Sequence, residues 1–145
     1  ILGRDAEPAG LESWLNYFAT GHTIEQMKAG FYGSVEYFAN KGNTNNTVVT
    51  AYYREILGRE PDPGGLASWT GSLNNGATRT NVAYAIMSSS QEGAGIIVRR
   101  CYNTYLLREP DDGGFQSWVA QIRSGVSEVM IITGFLGSVE YANRA

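Results

Sequence analysis

The apolar residues of this chain fall into sets that recur with helical spacing. Leu11, Trp14 and Phe18 stand at i, i+3 and i+7, and the same pattern returns as Leu66, Trp69 and Leu73, then as Phe115, Trp118 and Ile122. Each set occupies one face of a helix. A second apolar stripe, Val49, Tyr52, Tyr53 and Ile56, is answered by Val98, Cys101, Tyr102 and Tyr105. A third kind follows each middle helix: Met27 and Phe31, Val82 and Ile86, Ile131 and Phe135. The punctuation between sets is also regular. Gly21, Gly76 and Gly125 close the middle helix, where a left-handed residue is favoured, and Thr23, Thr78 and Ser127 open the next with an N-cap side chain. A small residue (Gly30, Ala85, Gly134) precedes each second anchor and predicts close helix contact.

The pattern is an internal repeat. Arg59-Glu-Pro-Asp62-Pro-Gly-Gly65-Leu66-Ala-Ser68-Trp69 is matched by Arg108-Glu-Pro-Asp111-Asp-Gly-Gly114-Phe115-Gln-Ser117-Trp118 and by Arg4-Asp-Ala-Glu7-Pro-Ala-Gly10-Leu11-Glu-Ser13-Trp14. The copies start 55 and 49 residues apart (59−4 and 108−59), and the extra six lie in the polar stretch Lys41–Asn46, a predicted loop. The predicted fold is all-α: tandem three-helix repeats packed into one compact or gently curved helical body. Repeat 1 takes residues 1–43, repeat 2 residues 44–92 and repeat 3 residues 93–145. One such unit buries too little alone, so stacked copies are expected to share a core. The lead helix of repeat 2 is predicted over about Thr47–Leu57. Its middle helix starts at Asp62 as N-cap with Pro63 in the first helical position. Repeat 1 begins its motif at Ile1-Leu-Gly-Arg4 and lacks most of a lead helix. An apolar groove is expected there, for a helix of a neighbouring subunit to fill head to tail unless upstream residues do so.

Charge narrows the function classes. A net charge of −3, with no clustered basic face, argues against nucleic acid. No apolar run reaches the roughly 18–20 residues of a membrane span. One cysteine, Cys101, and one histidine, His22, leave no Cys/His metal set and no Cys-His pair. Cys101 falls on the buried stripe where repeat 2 has Tyr52 and reads as a core residue. Only two lysines, Lys28 and Lys41, stand among many Gly, Asn, Ser and Thr residues, a neutral polar surface common in secreted and cell-surface bacterial proteins.

The candidate binding residues are the recurring Arg–acid pairs Arg4 and Glu7, Arg59 and Asp62, Arg108 and Asp111. Two readings stand side by side. The acid caps the middle helix while the guanidinium clamps the turn, or the pair contacts a glycan or anion. Glu7, a poorer cap than Asp, suits a salt bridge better. Glu60, Asp62, Asp111 and Asp112 raise calcium as the weaker alternative, because each loop offers too few oxygens. The acids recur at helix starts and no catalytic motif accompanies them, so no catalytic residue, no cofactor and no enzyme activity are expected. The three tryptophans are expected to be buried rather than stacked on sugars.

The long motif Leu-Gly-Arg-x-Pro-Asp-x-x-Gly-Leu-x-x-Trp, clearest at Leu57–Trp69, followed by Gly and then Ser-x-Glu-Tyr (Ser34–Tyr37, Ser138–Tyr141), resembles the bacterial family called domain of unknown function 4214. Repeat 2 departs from the ending with Ser89-Ser-Gln91-Glu92. A shorter similarity is to phycobilisome linker domains. The first resemblance implies a secreted or surface setting beside calcium-binding repeat, surface-layer or adhesion segments, and both imply assembly rather than catalysis. The expectation is therefore a non-catalytic structural or interaction module of an extracellular or cell-surface bacterial protein. Its partners would be protein, either copies of itself or another surface component. A carbohydrate-binding module and an antenna-type linker are the alternatives.

Overall fold

The structure, a computed structural model, describes residues 1–5, 7–138 and 142–143. It is all-α, with no strand among the described residues. The helices group into two units, Ile1–Ile86 and Met87–Ala145.

The first unit holds α1 (Pro8–Ala19), α2 (Ile24–Tyr32), α3 (Val35–Asn40), α4 (Asn45–Tyr52), α5 (Pro63–Asn74) and α6 (Arg79–Tyr84). The second holds α7 (Gln91–Cys101), α8 (Asp112–Arg123) and α9 (Glu128–Leu136). Helix α4 runs on into a π turn at Tyr53–Leu57, and α7 into the equivalent one at Tyr102–Leu106. The expected boundaries of the middle and closing helices match. Asp62 and Asp111 accept the Gly65 and Gly114 amides, and Thr23, Thr78 and Ser127 cap the closing helices. Gly21, Gly76 and Gly125 take φ of 91°, 101° and 102°.

Two features depart from the pattern reading. Repeat 1 contains a further helix, α3, capped by Ser34, beyond its middle and closing helices α1 and α2. Residues 41–44 separate it from α4 through a turn in which Gly42 has φ 98°, and Asn45 and Asn46 of the predicted loop are instead the first residues of α4, whereas α7 runs unbroken from its Ser90 cap to Cys101. The segment Ser-x-Glu-Tyr is thus the start of a helix that leads into the next repeat. Its second occurrence, at Ser138–Tyr141, includes Val139, Glu140 and Tyr141, which lie outside the described residues. The tryptophans differ too. Trp14, Trp69 and Trp118 are half-buried rather than buried. Trp14 and Trp118 rest against Phe31 and Phe135 of their closing helices, with centroids 4.8 and 5.7 Å apart, while part of each indole reaches solvent. The close helix contact expected at the small residues is present at two of them: Trp14 Cη2 and Trp118 Cη2 each lie 3.6 Å from where a Cβ would stand at Gly30 and Gly134.

The core of the first unit centres on three tyrosines. Tyr37 and Tyr52 stack with centroids 5.8 Å apart, and Tyr32 meets both edge-on at 5.2 and 5.9 Å. The Tyr52 hydroxyl donates to the Tyr32 carbonyl at 2.7 Å, and the Tyr37 hydroxyl to Glu55 at 2.6 Å. Burial, the largest cause, pushes all three phenols above their ordinary range, and Glu55 adds to the effect at Tyr32 and Tyr37. Groups with raised folded values contribute stability that is complete below the unfolded value of about 10 and lost as pH climbs through the folded values. Denaturation midpoints are therefore expected to hold up to about pH 10 and to fall above it. Tyrosinate absorbance should rise together with unfolding. Phenols that ionise fully while the helical signal stays intact would contradict this.

Helices α2 and α6 pack closely at Gly33, whose added Cβ would lie 2.6 Å from the Thr80 amide nitrogen and 2.7 Å from its Cα. Arg79 fixes the same crossing, donating to the Gly33 carbonyl at 3.2 Å with its guanidinium 4.4 Å from the Phe38 ring centroid. Backbone cannot move aside as a side-chain tip can. Gly33→Ala should cost about 1–3 kcal/mol in denaturant unfolding, the range of an overpacked core, and an unchanged midpoint would refute the close approach.

In the second unit α7 packs on α8 and α9. Val98, Cys101, Val119, Ile122 and Ile131 are all essentially inaccessible, so Cys101 is a core thiol as its stripe position predicts. Arg100 pairs with the buried Glu128 at the start of α9.

Candidate functional site

The Arg–acid pairs sit at the turns that open the middle helices. The Gly65 amide donates to Asp62 at 2.8 Å, and the Gly114 amide to Asp111 at 3.1 Å. These amide bonds are the largest cause holding both carboxyls below the usual range, with Arg59 and Arg108 assisting. Arg59 donates to the Glu60 carbonyl at 3.0 Å and lies 3.4 Å from Asp62, while Arg108 donates to the Glu109 carbonyl at 3.0 Å and lies 3.7 Å from Asp111. Each guanidinium also covers a tyrosine ring of its lead helix, Arg59 over Tyr53 at 4.9 Å and Arg108 over Tyr102 at 5.0 Å. The two tyrosine hydroxyls fill the space beside Gly65 and Gly114, where a Cβ would collide with them. Arginine, acid, glycine and tyrosine thus form one lock between lead and middle helices.

At Arg4, Glu7 and Gly10 the arrangement differs. Nothing lies within 4 Å of a Cβ added at Gly10. Arg4 turns instead to Glu36, donating from Nε at 2.8 Å and Nη2 at 3.0 Å, with Glu7 3.7 Å away. The hydrogen bond to Glu36 is the largest cause raising Arg4, and the same bond holds Glu36 below the carboxylate range. Sequence spacing did not expose Glu36 as the partner, because it lies 32 residues away and is brought back by α3. Glu7 caps α1 without a side-chain hydrogen bond. Glu7→Asp should install the bond that Asp62 and Asp111 make and stabilise α1 by about 1 kcal/mol. A thermal midpoint that falls or stays put would contradict it.

What remains beside Gly10 is a groove of about 340 Å³. Trp14, Met27 and Phe31 form its floor, Ile1 and Leu2 flank it, and Arg4, Asp5, Glu7 and Lys28 supply charged rims. The apolar face of α1 continues the exposure: Leu11 is 54% and Leu15 62% accessible. Their counterparts in the other repeats are better covered, Val119 at 1% in the position of Leu15. The groove is apolar on its floor and charged at its rim. It has neither a nucleophile-base pair nor a cluster of ligating side chains. Among the described residues, no group of three or more His, Cys, Asp or Glu is arranged to hold a metal ion. Nor is any described helix long and apolar enough to cross a membrane.

His22 lies outside the groove and closes the turn after α1. Its ring stacks on Tyr17 with centroids 3.8 Å apart, and Nδ1 sits 3.0 Å from the Thr20 hydroxyl.

Fold and site together define an all-helical repeat protein with a side-chain lock at each lead-to-middle helix junction. The family described as Domain of unknown function (DUF4214) matches residues 36–95 and 97–145, and the chain belongs to that family. No curated protein and no solved structure matches it.

Proposed function

We propose that the chain is a non-catalytic structural and interaction module of a secreted or cell-surface bacterial protein, acting in subunit assembly or adhesion. The observation that supports this reading is the groove over Trp14, Met27 and Phe31. A helix laid into an apolar groove is a general mode of protein recognition. Exposed Leu11 and Leu15 enlarge the apolar surface beyond the groove itself. The scarcity of lysine and the neutral polar surface support the extracellular setting. Its partners on this reading are copies of itself or another surface component.

The test is sedimentation of the intact chain over a wide concentration range, beside Met27→Glu. Concentration-dependent association that the variant loses supports the reading. A chain that stays monomeric at about millimolar concentration, and whose variant behaves identically, removes self-assembly through this face.

A second reading, a carbohydrate-binding module, draws on a separate cleft. Tyr17, Gln26, Thr80, Asn81 and Tyr84 line a space of about 300 Å³, combining aromatic rings with amide side chains. Such a mixture suits a neutral sugar ring. A glycan array probed at high protein concentration decides it: binding that Tyr84→Ala abolishes supports the reading, and a blank array ends it.

A further inference from the structure

Tyr17, His22 and Tyr84 have no aromatic counterpart in the other repeats. Tyr17 stands where Ser72 and Gln121 do, His22 where Ala77 and Val126 do, and Tyr84 where Ala29 and Thr133 do. The repeat folds without these rings at its other two copies, so the scaffold does not call for them. Tyr17 and Tyr84 line the cleft of about 300 Å³ formed by α1, α2 and α6, all within the first unit. The cleft is separate from the groove beside Gly10. On α2 it uses Ala29, which stands two positions from both Met27 and Phe31 of the groove floor, roughly 200° round the helix. His22 fixes the Tyr17 ring. Its Nδ1 lies 3.1 Å from the Tyr17 carbonyl and 3.0 Å from the Thr20 hydroxyl. A carbonyl only accepts, so Nδ1 carries a proton. Thr20 donates its own hydroxyl to the same carbonyl at 2.8 Å. So anchored, the imidazole lies on the Tyr17 ring with centroids 3.8 Å apart and 19° between the planes, and Trp14 meets that ring edge-on at 5.3 Å. A ring already held in place gives up little freedom when a ligand arrives.

The polar groups of the cleft are neutral and available. Gln26 accepts from the Thr23 amide at 2.8 Å with its side-chain oxygen, which leaves its amide nitrogen as a donor. Among the described residues, the Asn81 side-chain amide and the Tyr84 hydroxyl have no hydrogen-bond partner. No Asp, Glu, Lys or Arg of the described residues lines the cleft. Uncharged donors and acceptors beside aromatic rings match adjacent hydroxyls on a ring that also has an apolar face. The volume is at the small end of ligand sites, which fits one such ring better than a chain of them. An acidic sugar would bring a carboxylate with no cation to meet it. Resting on the carbohydrate reading, we infer that the cleft takes one uncharged pyranose ring of a glycan between Tyr17 and Tyr84, and that His22 is the positioning residue that holds Tyr17 for it. Gln26 and Asn81, at equivalent places on the two closing helices (26−4 and 81−59), bond its hydroxyls.

The test is an NMR titration of the intact chain with the methyl glycosides of glucose, galactose and mannose, each beside its 6-carboxylate form. Expected are saturable shifts of the Gln26 and Asn81 side-chain amides with at least one neutral glycoside. Its carboxylate form should bind about tenfold more weakly or worse, the loss that an unmatched charge brings. Three variants install residues that another repeat already carries at the same place: Tyr17→Ser, Tyr84→Ala and His22→Ala. The first two should abolish binding. His22→Ala should weaken it several-fold and move the Tyr17 ring signals, while the unfolding midpoint stays unchanged because the side chain is exposed. His22→Phe, which keeps a ring on Tyr17, should restore most of the affinity. A carboxylate form that binds as tightly as its neutral partner overturns the inference and leaves the carbohydrate reading standing. So does a His22→Ala chain that binds as the parent does, and so does a glycan array that is positive while the Gln26 and Asn81 amides stay silent. A blank array beside silent titrations ends both.

Discussion

Tyr52→Ala is expected to destabilise the Ile1–Ile86 unit by about 3–5 kcal/mol, the cost of deleting a large buried ring whose site cannot fully collapse. Tyr52 is completely inaccessible, and Tyr32 and Tyr37 both pack against its ring. Collapse is hindered because Tyr37 is held elsewhere. Its hydroxyl donates to Glu55, which Lys41 also grips. Burial pushes Glu55 upward, but its bonds to Lys41 and Tyr37 together hold it below the usual carboxylate range. The Tyr32 carbonyl then adds a second loss, since its 2.7 Å hydrogen bond from Tyr52 disappears. Tyr52→Phe separates the two terms. It keeps the ring and removes the bond, so it should cost about 1–2 kcal/mol, near the net value of a buried hydrogen bond plus an orphaned acceptor. Urea midpoints for the two variants provide the measurement. Equal costs would mean that the ring contributes nothing beyond its hydroxyl, and the packing account would fail.

Much of this architecture is legible in the sequence because it rests on local rules. The stops at Gly21, Gly76 and Gly125, the caps at Thr23, Thr78 and Ser127, and Pro63 after Asp62 each depend on a few adjacent residues. The stripe that carries Cys101 also follows from spacing alone. The helix α3 was not legible as a separate element, because Val35–Asn40 is only six residues long and its partners come from elsewhere in the fold. Burial of the tryptophans was over-read for a related reason. Periodicity tells which face of a helix is apolar, while the depth of cover depends on what lies across from it. Only three-dimensional comparison of the repeats reveals the tyrosine-arginine-glycine lock, since its members belong to different helices. The apolar floor of the groove beside Gly10 was foreseeable from the recurring spacing of Trp14, Met27 and Phe31, yet its charged rim was not.

That difference in cover predicts a large asymmetry between equivalent positions. Ile131 and Met27 occupy the same place in the closing helices of repeats 3 and 1. Ile131 is completely inaccessible on α9, which packs against α7, whereas Met27 is half-buried on the groove floor. Ile131→Ala is expected to cost about 3–4 kcal/mol, combining lost apolar transfer with a cavity bounded by fixed neighbours. Met27→Ala should cost less than about 1 kcal/mol, because water already reaches the side chain and no closed cavity is left. Val82, the repeat 2 counterpart, is 2% accessible and belongs with Ile131, scaled down for its smaller side chain. Denaturant titrations of the three alanine variants would rank them. Similar losses at Met27 and Ile131 would show that the first groove is closed in solution.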